Sequence, residues 1–138
     1  MKIKKSLSVI FLLTVITLVG MQGCKKYPEN NDIDLSSSKD RVSQTWKVEN
    51  YKVDSVDLTS ILAGYTETYT NLGIYSYKWG LIEGIGTWEF RNNEKEILIK
   101  GTNNLNDKTL YIQKLENNQF WYYYMDGAQR KEFHLVHN

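Results

Sequence analysis

The sequence predicts an all-β domain, a small antiparallel barrel or sandwich whose strands follow one another in up-and-down order. Three observations carry that expectation. From Arg41 to Asn138 the chain is a series of short runs rich in Tyr, Trp, Val, Ile and Thr, residue types that fit a pleated surface. Asn, Asp and Gly break those runs at close intervals, as hairpin turns require. Helical periodicity is convincing over one short stretch only.

The elements follow in chain order. Thr45–Val53 alternates through Trp46 and Val48, then changes phase to Tyr51 and Val53, which predicts a bulge or bend in the first strand. Residues 57–64 are the helix candidate, one to two turns long. Asp57 can cap it, Leu58, Ile61 and Leu62 share a face, and Gly64 can end it. Residues 66–71 and Ile74–Trp79 are strands on either side of a break at Leu72 and Gly73. Residues 85–91 turn through Asn92 and Asn93 into 96–100. After the loop 101–107 come strand 109–115, a turn at Asn117 and Asn118, and strand 119–125. Asp126 and Gly127, a strong two-residue hairpin signal, lead to the last strand, 131–136.

The beginning of the chain has another texture. Lys2, Lys4 and Lys5 precede an apolar run over 7–19, and small or uncharged residues lead to Gly23 and Cys24. That order is the secretory pattern, and the run is shorter than the ~20 residues that span a bilayer as a helix. Gly23-Cys24 resembles a bacterial lipobox, although Met21 and Gln22 stand where Leu and a small residue are commoner. The resemblance implies cleavage after residue 23 and lipid on Cys24, the chain's one cysteine. Two acyl chains anchor stably where one does not. Lys25 stands where an aspartate holds some lipoproteins at the inner membrane, so the expected destination is the outer membrane of the cell envelope. Residues 24–40, with the single proline and a Ser triplet, read as a flexible tether, and 41–138 as the β domain.

Charge excludes one class of partner. Cleavage removes three of the 17 basic residues, leaving 14 against 16 acidic ones, a net of −2. Nucleic-acid binding calls for a basic patch or stripe, and none is present.

The middle and end of the chain resemble the lipocalin-like lipoproteins of Gram-negative bacteria. The residues that carry the likeness are Thr45-Trp46-Lys47-Val48 with Tyr51, and Gly86-Thr87-Trp88-Glu89-Phe90. Residues 111–115 followed by Phe120-Trp121, and Glu132-Phe133-His134-Leu135, complete it. Gln44 departs from the family, which usually has Gly two residues before the first-strand Trp. The resemblance implies an eight-stranded antiparallel up-and-down barrel, a short helix after the first strand, and room for a small apolar molecule.

Catalytic and metal chemistry find little support. His134 and His137 have odd spacing on a strand and point to opposite faces, so they cannot share an ion. Neither lies near a strained Ser turn, and the acidic pairs (Glu94 with Glu96, Glu83 with Glu89) are ordinary for so many carboxylates. Gly80, Gly84 and Gly86 are followed by no helix that could present amides to a phosphate; they read as a turn or bulge. No cofactor and no enzymatic activity are expected.

The aromatics are the unusual feature. Alternation puts Phe120, Tyr122 and Tyr124 on one face of their strand and Trp121, Tyr123 and Met125 on the other. Cross-strand aromatic pairs stabilise any antiparallel sheet, by about 0.2–1 kcal/mol each. Two further roles are open. Trp46, Trp88, Phe90, Tyr111 and Phe120 could line a pocket for a small, partly apolar ligand. Alternatively, Trp121 and Tyr123 could present an outer surface to a glycan or an envelope protein. Which face points inward is undetermined, because a one-residue slip exchanges the two.

Overall fold

The computed structural model describes residues 36–138, and the expected signal segment, Cys24 and most of the tether lie outside them. Eight strands close into an antiparallel barrel in up-and-down order. They are β1 (Thr45–Val53), β3 (Thr66–Tyr69), β4 (Ile74–Trp79), β5 (Ile82–Arg91), β6 (Glu96–Asn103), β7 (Lys108–Leu115), β8 (Gln119–Asp126) and β9 (Gln129–His137). A two-residue strand, β2 (Val56–Asp57), is a spur on β1. Closure comes from β1 against β9, from Trp46↔His137 to Val53↔Lys131, so each of the eight strands is paired on both sides. Closing the sheet removes the exposed edges at which chains otherwise associate.

The predicted phase change in β1 is a register shift between Val48 and Asn50. It returns Tyr51 to the face that carries Trp46, and both are buried. The helix candidate 57–64 is shorter than expected. Asp57 belongs to β2, and its carboxylate accepts from both the backbone N–H and the hydroxyl of Thr59, at 2.9 and 2.7 Å. Only Thr59–Leu62 is helical, as a 3-10 turn. This segment covers the half of β1 that β3 does not reach, with Leu58 N–H on the Tyr51 carbonyl at 2.9 Å.

A helix precedes the barrel where the tether was expected to end. α1 (Ser38–Val42) starts from a capping box in which Ser37 and Asp40 bond each other's backbone N–H. It lies across the barrel end that carries the β5–β6 and β7–β8 turns: Ser38 Oγ donates to Glu94 at 2.7 Å, and Ser36 Oγ to Asn117 at 3.2 Å. Its Val42 is fully buried, and the indole N–H of Trp46 donates to the Val42 carbonyl at 3.0 Å. Trp46, Phe120, Tyr69 and Trp88 fill the barrel behind this plug, with ring centroids 5.6–5.8 Å apart in the pairs that touch.

Gly80 takes a φ of +61° in the β4–β5 turn and Gly86 sits at a register shift against β6, as the expected turn or bulge requires. Gly84, Gly86 and Gly101 also allow close approach. A Cβ on Gly101 would overlap the carbonyl of Leu105, and one on Gly86 the carbonyl of Lys100. Gly84 lies under the ring of Tyr77. These three positions let the β6–β7 loop fold down against β5 and β6, where Asp107 fixes it by accepting the Gly101 N–H at 2.9 Å.

Candidate functional site

Each inward-facing strip has its own chemistry. β3 continues the alternation begun at Tyr65, so Tyr65, Glu67 and Tyr69 all point inward and all are buried. β4 adds Tyr75 and β8 adds Tyr122 to the same level of the barrel. Four phenol O–H groups converge on Glu67, the one carboxylate buried among the described residues. Tyr122, Tyr65 and Tyr75 donate to Glu67 Oε1 at 2.7, 2.8 and 3.0 Å, and Tyr69 donates to Oε2 at 2.9 Å.

An isolated carboxylate would be costly to bury, and this set of charge-assisted bonds offsets the loss of water. Burial, reinforced by the Glu67 charge, pushes all four tyrosines well above their ordinary pKa of 10.0. They remain neutral donors. With its oxygens so engaged, Glu67 is a structural acceptor at the barrel's waist rather than an open base.

Beyond this waist the barrel opens. The end that carries the β4–β5, β6–β7 and β8–β9 turns holds a cavity of about 450 Å³. Tyr51, Tyr65 and Phe133 form its inner part, and Tyr77, Trp79 and Tyr124 stand toward the mouth. Tyr65 and Tyr77 stack at 5.8 Å, and Tyr124 lies 6.1 Å from Phe133 in a near-parallel arrangement. The Tyr77 hydroxyl is fixed by the Asn104 carbonyl at 2.9 Å. Exposed Ile61, Leu81, Ile82 and Met125 belong to the same end.

Two lysines face this space. Lys131 is paired with Asp126. Lys108, on the same face of β7 as buried Leu110, is partly buried, and its ammonium lies 4.9 Å from the ring centre of Tyr124 and 5.4 Å from that of Tyr75. Among the described residues it has no carboxylate partner and no hydrogen bond. Burial lowers its pKa from 10.5, against the opposing pull of the Glu67 charge.

The residues expected to line a pocket sit elsewhere. Trp46, Trp88 and Phe120 point inward but belong to the plugged end, buried against one another and Tyr69. Phe90 packs edge-on against Trp88 at 5.5 Å, farther still from the mouth. Tyr111 is outside the barrel, beside a separate depression of about 320 Å³ with Leu98 and Thr109.

Trp121 and Tyr123 do face outward. Their ring faces are already covered: Trp121 by His134 at 4.2 Å and Lys114 at 4.6 Å, Tyr123 by Tyr111 at 5.0 Å and Arg130 at 3.9 Å. Glu132 holds this layer by accepting from Arg130 and contacting His134, each at 3.0 Å.

Sequence reasoning missed Glu67 and Lys108. The pattern Tyr65-Thr-Glu67-Thr-Tyr69 and the even step from Lys108 to Leu110 were the available signals. Both strips read as polar, so neither declared itself as the inner face.

No protein-family model matches the chain. No curated protein matches it either. Among solved structures, the chain is similar to the crystal structure of a DUF4847 family protein from Bacteroides vulgatus. The TM-score is 0.52 at 14% sequence identity, over 70% of this chain and 94% of that one. At that identity the likeness is one of fold.

Proposed function

We propose that this chain is a lipid-anchored lipoprotein of the cell envelope whose lipocalin-like barrel holds one small, partly apolar molecule. The observation that carries the reading is the asymmetry of the barrel: one end is plugged, and the other keeps an aromatic-lined cavity of about 450 Å³. That size lies within the ~300–1,000 Å³ common for small-molecule sites, where apolar walls and a few placed polar groups divide affinity from orientation. Phe133 and the tyrosine rings supply the walls, and Lys108 is the placed polar group. The reading is one of binding rather than catalysis, and the engagement of the buried carboxylate by four phenols supports it.

The anchor rests on the sequence around Cys24. Labelling growing cells with a radioactive fatty acid should mark the wild-type protein and leave Cys24→Ala unlabelled. Label on the variant would remove the anchor from the reading.

Native mass spectrometry tests the pocket. The chain from Lys25 onward, made without detergent and offered an envelope extract, should retain a discrete added mass that Tyr124→Ala loses while staying folded. A bare protein mass under all conditions would refute the small-ligand role. The alternative, an accessory subunit that meets a glycan or envelope protein through Trp121 and Tyr123, has less support because both rings are already stacked and capped by cations.

A further inference from the structure

The cavity has a second property beyond its size: its charge is unevenly satisfied. Each carboxylate that faces it or lies below it is already engaged. Glu67 accepts four phenol hydrogens, Asp107 holds the Gly101 N–H, and Asp126 holds Lys131. Among the described residues that face the cavity, Lys108 presents a cationic group with three N–H donors, no hydrogen-bond acceptor and two ring faces beside it. A cation drawn partly out of water and left without an acceptor is costly, and an anionic group brought in by a ligand would remove that cost. The surroundings specify the rest of the molecule. Tyr65 and Tyr77 already stack face to face, and Tyr124 and Phe133 lie nearly parallel. A flat aromatic body is the shape that extends such parallel ring pairs, since the pairs themselves are closed at 5.8 and 6.1 Å.

We infer that the cavity selects a flat aromatic anion, with its carboxylate, sulfonate or phosphate seated on Lys108 and its rings among Tyr65, Tyr77 and Tyr124. This deepens the small-ligand reading and rests on it. Burial lowers the Lys108 pKa and the Glu67 charge opposes that shift, and an anionic ligand on the ammonium would favour its charged form.

Two dyes with one ring system decide the matter. Anilinonaphthalenesulfonate carries a sulfonate that phenylnaphthylamine lacks, and both fluoresce on leaving water. Because the barrel of residues 36–138 closes on itself, the detergent-free chain from Lys25 onward is suitable. The sulfonate should bind about tenfold more tightly than the neutral dye, the scale of a charge-assisted hydrogen bond. Lys108→Gln should bring the two affinities within about threefold, and Lys108→Arg should keep the preference. Circular dichroism checks that each variant is folded. Equal binding of the two dyes by the wild type would overturn the inference and leave the apolar pocket standing, and needs no variant to fold. So would a preference that survives Lys108→Gln in a folded protein. Failure of both dyes to bind would sink the inference together with the pocket reading.

Discussion

The two ends of this barrel draw on the same residue types and reach opposite results. At the plugged end, aromatic side chains spend their polar atoms on the backbone: Trp46 on the Val42 carbonyl, and Trp88 on the Thr70 carbonyl at 3.0 Å. Their rings then meet each other, and no space remains. At the open end Tyr65 gives its hydroxyl to Glu67 and Tyr77 gives its own to the Asn104 carbonyl, and their rings stand as walls around an unfilled volume. What separates a core from a pocket here is therefore whether a segment such as α1 closes the end and lets the rings meet, more than how many aromatic residues are present.

The waist between the two ends should show the largest effect, in alkali. Tyr65, Tyr69, Tyr75 and Tyr122 stay neutral in the fold well above pH 10, whereas the unfolded chain ionises them near that value. Above it the unfolded state binds fewer protons, so stability is fully present below pH ~10 and falls as pH rises. The slope is about 1.4 kcal/mol per pH unit for each of these groups. Urea midpoints should drop steeply between roughly pH 10 and 11. Tyrosinate absorbance from these groups should appear together with loss of the β signal. Their titration in a protein that remains folded would show that the carboxylate network is loose.

Next comes a direct contrast of the ends. Trp46→Ala, which opens a fully buried site, should cost about 3–5 kcal/mol. Trp79→Ala, at the exposed rim, should cost no more than about 0.5 kcal/mol. Similar losses in chemical denaturation would erase the distinction drawn above.

Glu67→Leu should cost about 3 kcal/mol, because four buried hydroxyls lose their acceptor, and Glu67→Gln less, because one carbonyl oxygen remains. A neutral or stabilising leucine would mean that the phenols satisfy one another. Gly101→Ala should cost about 1–3 kcal/mol by pushing Leu105 and its loop off the strand. It should also change dye binding at the open end, which Trp46→Phe should leave alone.

The sequence made much of the fold legible, because turn chemistry and strand alternation are local signals. Asn92-Asn93 and Asn117-Asn118 mark reversals, and Ile74–Trp79 has the predicted bounds. The hairpin signal at Asp126-Gly127 is displaced by one residue, since Asp126 pairs with Gln129 and the loop is Gly127-Ala128. The phase change in β1 was readable for the same reason.

α1 was hidden inside a polar stretch. Its Ser37 to Asp40 capping spacing was visible, but a five-residue helix has little periodicity to show. The site was harder still. Trp46, Trp88 and Phe120 are inward, as a pocket requires, yet nothing local says which end of a barrel is plugged. Lys108 was overlooked because a lysine before a strand usually reads as solvated surface, and its inward direction depends on the register of β7 against β6 and β8.

The pairing of β1 with β9 also has a consequence for how the molecule forms. Trp46 and His137 lie near opposite ends of the described chain, and pairings so distant in sequence form slowly. Until β9 arrives, β1 and β8 are bare edges with Tyr51 and Tyr122 uncovered on the Phe133 side. A chain in which β1 and β9 have yet to meet is thus kept open by its own topology, and the barrel encloses its cavity only when that pairing forms.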